Sequence, residues 1–539
     1  MAGAGTVNLA SGVKLDASGR WNNLPLNPAD TGGVAYVNGG KISLRGTGNV
    51  NLADGSVVDA SSGATLGVDG KLIGGKGGDV TLASLAALAL GGEIRGYGVT
   101  GGGTLALQAR KVQIGDSATV PAADTLKLAG DFFNKGFSAY DITGNEGLLV
   151  TDGTQVDVTT PVYRLGQQTS STPSGSDPAT ALERWTPALY QEDAAKSVLT
   201  QRRGASLALT AGHRDSTAAE LATTALTVGK GAVINVDPGQ GINLRSVGQL
   251  TLDGTLNAWG GSVSLGGLTV QASEAVNAAG HGRSIWVGEN ALIDVASRAF
   301  TAVNNRGGVY GQVRNGGKIS IGGDIDLATG IAKASDLFVV VRDGARLDAS
   351  GTQATLDVPG QGRVQVASNG GSISFASNNG LYLDGSFFAR AGGAGAAGGS
   401  LSVALESPYY AKNAVTDRVL TLRELVLSQT HQGSTLPDTA DAAAASLEYG
   451  HGRLGVDQVS AGGFDNLAVL SDGMLGFDGD VSLKMGQSLR LYSGAMGLTE
   501  QAAANSRINL SAPYLLLAGI LEPLEAKDQY LHPVLTTGM

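Results

Sequence analysis

Two of the five histidines in this 539-residue chain stand in the same setting, Gly280-His281-Gly282 and Gly450-His451-Gly452. An imidazole flanked by glycines titrates near neutral pH, so each could move a proton in general acid–base catalysis. Cleaving a glycosidic bond would also need carboxylates placed as acid and as base or nucleophile. The chain has neither an adjacent Asp pair nor an Asn-Thr-Asp phrase. Both histidines therefore read as turn residues.

Gly74-Gly75-Lys76-Gly77-Gly78-Asp79 has the spacing that opens a calcium-binding nonapeptide. That site needs tandem turns to share the ion, and Thr81 stands where an apolar residue belongs. The glycine-rich stretch 391–399 lacks the Gly-Lys-Ser/Thr ending of a phosphate cradle and reads as a turn. His213, His431 and His532 are too scattered for a recognisable metal set. The absence of cysteine removes thiol nucleophiles, disulfides and thiolate ligands. No catalytic, cofactor-binding or metal-ligating residue is expected. What can bind by shape are the aromatics Trp185, Tyr190, Tyr409 and Tyr410, rigid amphipathic side chains of the kind that dominate recognition hot spots.

These aromatics lie in two stretches that interrupt a repeat. The phrase Gly-Gly, a small or polar residue, apolar, Ser/Thr/Ala, apolar recurs from Gly39-Gly40-Lys41-Ile42-Ser43-Leu44 to Gly398-Gly399-Ser400-Leu401-Ser402-Val403, with copies at Gly77, Gly102, Gly260, Gly316 and Gly370. Apolar residues at every second position mark a strand with one buried face, and the leading glycines are expected to allow a tight turn. A second phrase, Leu15-Asp16-Ala17-Ser18-Gly19, returns at Val58 and Leu347 and reads as a strand end followed by a corner that the Asp and Ser side chains close. The two phrases stand about 20 residues apart, the length of one coil of a parallel β-solenoid. With coils ~4.8 Å apart, the sequence predicts an elongated shaft.

Composition agrees. Glycine is abundant at 83 residues, proline scarce at 14, and 42% hydrophobic against 16% charged content makes a folded chain. Only 5% of residues are aromatic, so the core must be thin layers of Val, Ile, Leu and Ala. A net charge of −10, with Arg202-Arg203 as the only compact basic cluster, gives nucleic acid no electrostatic footprint. No apolar run reaches membrane-spanning length, so no membrane span is expected. No basic-then-apolar leader is present, and the expectation is a piece of a longer protein whose targeting signal lies outside it.

The phrases Gly5-Thr6-Val7-Asn8-Leu9-Ala10-Ser11-Gly12 and Gly48-Asn49-Val50-Asn51-Leu52-Ala53-Asp54-Gly55, with the two repeats above, resemble filamentous haemagglutinin-type exoproteins of Gram-negative bacteria. The stretch from Gly136 to Asn145 and from Thr154 to Leu165 is similar to segments of large haemagglutinin-like exoproteins. The resemblance implies a right-handed parallel β-helix, two-partner secretion through an outer-membrane β-barrel transporter, and adhesion or delivery at the cell surface. It implies a host-cell or glycan receptor and a role in virulence. The family's Asn-Pro-rich secretion motifs are not found; Leu26-Asn27-Pro28 is too slight to count. Right-handed β-helices also include polygalacturonase-like hydrolases, whose Gly-His-Gly fragment both histidines reproduce, and a stalk presenting a C-terminal toxin is a further rival.

The resulting expectation is an all-β solenoid with two extra-helical insertions: coils at 1–130, an insertion at 131–203, coils at 204–405, an insertion at 406–452, and coils with a C-terminal segment at 453–539. Asp177 should cap and Pro178 should open a short helix with Leu182, Trp185 and Leu189 on one face. The insertions are either structural or the recognition surface. The chain is expected to be a secreted, non-enzymatic shaft with no cofactor.

Overall fold

The computed structural model describes residues 2–3, 5–26, 36–67, 69–116, 122–406 and 423–520. Strand makes up 48% and helix 7%, and the largest sheet is built by parallel pairing, so the fold is all-β and parallel. The chain forms two compact units, Met1–Ala211 with Ala232–Asn243 and Ala302–Gly307, and Gly212–Gly231 with Leu244–Thr301 and Gly308–Met539.

In the first unit the strands Lys41–Gly46, Asp79–Ser84, Thr104–Ala109, Ala139–Gly144 and Ser206–Ala211 pair in parallel, each with the next. The register aligns Ile42, Val80, Leu105, Tyr140 and Leu207 in one row, and Leu44, Leu82, Leu107, Ile142 and Leu209 in another. All ten are buried, while the residues between them are not part of the apolar rows. The period-2 reading of the repeat phrase therefore holds. Shorter ladders align Asn8 with Asn51 and Asp16 with Asp59, the matching positions of the other two phrases.

In the second unit three ladders recur in the same chain order. One joins Gln249–Leu252, Ser284–Val287, Phe338–Val341 and Gly380–Leu383. The next joins Thr255–Asn257, Leu292–Asp294, Arg346–Asp348 and Ser386–Phe388. The third joins Ser262–Gly267, Lys318–Ile321, Ser372–Ser377, Ser400–Leu405, Asn466–Asp478, Ser488–Leu498 and Tyr514–Gly519. Along this last ladder Val263, Ile319, Ile373, Leu401, Leu467 and Leu489 form one buried row.

The corners behave as read. Asp16, Asp59 and Asp348 each accept, through Oδ1, the backbone N–H of the serine two residues on, at 2.9, 3.0 and 3.0 Å. The glycine pairs differ from expectation. Among the seven pairs only Gly260 has a positive φ, so turn geometry does not explain the rest. What does is close approach between layers: a Cβ on Gly371 would stand 1.9 Å from the Gly317 carbonyl oxygen, and one on Gly399 would stand 2.0 Å from that of Gly371. The first glycine of a pair meets a corner instead, Gly316 against the Ala349 carbonyl at 1.9 Å and Gly39 against that of Ala60 at 1.8 Å. The two repeat phrases thus touch each other.

The insertion boundaries need correction. Residues 131–203 do not leave the ladder as a block, because Ala139–Gly144 pairs on both sides and Phe133, Phe137 and Tyr140 are buried inside it, the rings meeting edge to face. The excursion is narrower and consists of two antiparallel hairpins, Val162–Leu165 with Leu182–Trp185 and Tyr190–Asp193 with Val198–Gln201. Asp177 does cap a helix through Ala179 N–H with Pro178 in its first turn, but that helix ends at Ala181. From Leu182 the chain is extended, so Leu182, Trp185 and Leu189 do not share a helical face. Within 406–452, Glu424–Ser428 is likewise a ladder strand, paired with His451–Gly455 and with residues 474–478. Among the described residues, the excursion is 429–450.

Candidate functional site

The second excursion leaves the ladder at Ser428 and returns at His451, and the strands beneath it explain why it lies down. Ser284–Val287 and Phe338–Val341 are buried at every position. A strand apolar on both faces needs cover outside as well as inside. Trp286, Phe338 and Val340 supply the outer face, and Leu436, Ala440 and Ala443 pack onto it. Thr439 caps the short helix Ala440–Ala443 by accepting Ala442 N–H. Arg342 clamps the edge, its guanidinium over the Trp286 ring at 5.3 Å while it donates to the Leu436 carbonyl and pairs with Asp438.

Between this excursion and the ladder lies a pocket of about 510 Å³, within the ~300–1,000 Å³ range of small-ligand sites. Its floor is Leu381, Tyr382, Leu383 and Asp384, and its walls are residues 431–436 with Ser446, Glu448 and residues 451–453. Asp384 fastens one wall: it accepts the Ser434 hydroxyl and N–H, and it meets His431 Nε2 at 3.0 Å. Burial alone would raise its pKa, but the hydrogen bonds from His431 and Ser434 outweigh that and hold the carboxyl below the usual range. Ser434 gives its hydroxyl proton to the carboxylate and not to the imidazole, so the three do not form the nucleophile–base relay of a hydrolytic triad.

On the opposite wall burial depresses the His451 pKa, with Glu448 pulling it up and Arg453 pushing it further down. The His451 ring has no hydrogen bond among the described residues. Arg453 donates to Gln432 Oε1 at 3.2 Å and forms no ion pair among them. The Tyr382 hydroxyl accepts Glu448 N–H at 2.7 Å, and its half-buried ring lies in the pocket floor, packed against the cluster of Trp286 and Phe338.

The two Gly-His-Gly histidines part company here. His451 lines the pocket, whereas His281 is built into the protein: its Nδ1 accepts Arg283 N–H, and its Nε2 faces Asn277 Oδ1 at 2.9 Å. Asn379 Nδ2 also faces His281 Nε2 at 3.2 Å, so both ring nitrogens are engaged by the protein. Asp79 of the calcium-like phrase accepts Thr104 N–H of the next strand, and 391–399 is the turn into Ser400–Leu405. His213 accepts Asp215 N–H in a turn, and His532 lies outside the described residues. Among the described residues no group of three or more His, Asp or Glu could hold a metal ion, and no helix is long and apolar enough to cross a membrane.

Of the four aromatics expected to recognise a partner, Trp185 and Tyr190 are half-buried on separate hairpins of the first excursion, and Tyr409 and Tyr410 lie outside the described residues. The Trp185 ring is faced by the Arg164 guanidinium at 5.3 Å, and Arg164 is in turn paired with Glu183. Docking of that excursion falls instead to Tyr163 and Leu182, buried with Trp21, Ala64 and Tyr97. An ionic cluster joins it there, Lys14 lying 2.7 Å from Asp177 and 3.2 Å from the fully buried Asp59. The pocket residues Asp384, Ser434, Glu448 and Arg453 carry no spacing signal, because the pocket forms by a loop folding onto a strand some 50 residues earlier. Phe338-Val339-Val340-Val341 beneath it does carry one, an unbroken apolar strand. In comparisons with protein-family models, curated proteins and solved structures, nothing matches this chain.

Proposed function

We propose that the chain is part of the structural and adhesive shaft of a secreted bacterial surface exoprotein, wound as a right-handed parallel β-helix with two excursions. The observation that carries this reading is the second unit's recurrence of three ladders in one chain order, with apolar rows in register across successive layers. A parallel strand–crossover–strand connection is right-handed in nearly all cases. Inward rows of Val, Ile and Leu with outward Ser, Thr and Ala make a stable scaffold whose regular surface offers few anchors for a ligand. Function then falls to what departs from the layers, and the pocket beside 429–450 is such a departure. The likeness to haemagglutinin-type exoproteins supports export through an outer-membrane β-barrel transporter and a host-cell or glycan receptor. Replacing 429–450 by a short Gly/Ser link while retaining a β-rich spectrum tests the reading. Loss of attachment to cells or glycan-coated surfaces is expected, and attachment unchanged by that replacement would overturn the assignment of the receptor site.

A further inference from the structure

The pocket's groups are unequally committed. Asp384 is saturated by His431 and Ser434, and the Tyr382 hydroxyl is held by Glu448 N–H. The groups left to meet a ligand are the Arg453 guanidinium, bonded only to a neutral amide, and the His451 imidazole, with the Glu448 carboxylate exposed on the same rim. A guanidinium without a carboxylate partner is an anion site, and its planar fork matches a carboxylate in a two-point contact. A carboxylate on the same rim accepts from hydroxyls, and a half-buried tyrosine ring offers an apolar face to a sugar ring.

A lone anion would meet Glu448 as a repulsive neighbour, and a neutral sugar would cover Arg453 with Glu424 of the adjoining strand as its counter-charge but no ion pair to it. A polysulfated chain needs a basic stripe, whereas the pocket wall presents one unpaired guanidinium on a protein of net charge −10. A sugar that carries a carboxylate satisfies all the groups at once. We propose that this pocket binds a uronic-acid residue of an unsulfated polysaccharide, its carboxylate on Arg453, its hydroxyls on Glu448, Gln432 and His451, and its ring face on Tyr382. This rests on the adhesive reading above and gives that site its ligand.

The test is calorimetric titration of the full chain with a short oligogalacturonate, beside its fully methyl-esterified counterpart of equal length. The acid form should bind, and esterification should weaken binding tenfold or more. Arg453→Gln should weaken the acid form by a similar factor with no change in thermal midpoint, while Arg453→Lys should restore part of it. Equal binding of ester and acid, or Arg453→Gln without effect, overturns the uronate assignment but leaves a glycan site standing if replacement of 429–450 abolishes binding. Binding of neither sugar, with attachment to cells retained, removes the pocket as the receptor site. Loss of attachment as well as sugar binding in the unaltered chain removes the adhesive reading itself.

Discussion

Ile319 is fully buried between Val263 and Ile373, so Ile319→Asp should place an unpaired charge in a closed row and destabilise by about 3–5 kcal/mol. Ser264, one position along the neighbouring strand, points away from that row, and Ser264→Asp should stay within about 0.5 kcal/mol. Chemical denaturation reads both; equal losses would mean that the register is wrong. Ser320, the obvious outward control, is a poorer one because its hydroxyl donates to the Gly323 carbonyl. The same contrast applies to glycine: Gly371→Ala has to push back the Gly317 carbonyl and should cost about 1–3 kcal/mol, whereas Gly433→Ala meets open space and should be near neutral. Acid should loosen the pocket in two stages. His451 titrates lower when folded, so the unfolded chain takes up its proton first, and stability falls as pH drops from the ordinary imidazole value of about 6.5 toward the lowered one. Glu448 and Arg453 are the charged groups that act on it. Asp384, depressed in the fold, holds its contribution above the ordinary carboxylate range and loses it only as pH falls through its lower native value. His451→Asn should flatten the first stage in thermal melts and leave the second.

Among the elements, the ladder strands were legible because a period of two needs no knowledge of partners, and Ile42, Val80, Ile319 and Phe375 are all buried where the pattern put them. The excursions were legible only as interruptions. The bounds 131–203 take in Phe133, Phe137 and Tyr140, yet a row that accepts Leu207 above and Leu105 below also accepts Tyr140. The helix after Asp177 was overextended because capping chemistry marks where a helix starts and says little about where it stops; Leu182–Trp185 gains a strand partner in Val162–Leu165 that the local sequence does not show. Asp177 itself both caps and pairs with Lys14, so Asp177→Ala should free the first excursion at a cost of about 1–3 kcal/mol. Faster amide exchange across 162–201, with the ladder strands unchanged, is the expected signature, and uniform acceleration would refute a local role.

For the molecule as a whole, the layered pairing can be tested covalently because the chain contains no cysteine. Ser264 and Ser320 are paired across neighbouring parallel strands, and strands ~4.8 Å apart fall within disulfide reach. Ser264→Cys with Ser320→Cys should close a crosslink on mild oxidation, seen as a mobility shift. Ser264→Cys with Ser374→Cys, two strands apart, should not. Removing 372–399 is a stronger demand, since it joins Gly371 to Ser400 and sets Leu401 against Ile319 in place of Ile373. That chain should still fold with one cooperative loss of β-signal, whereas a deletion ending between two glycine pairs should not. The glycine column has a counterpart in heredity. Gly317, Gly371 and Gly399 each rest on the backbone of the pair before them, so within that run a recombination that joins one Gly-Gly phrase to another creates a seam the protein already knows how to fill. Alleles of unequal length should therefore differ there by whole layers, each running from one Gly-Gly phrase to another.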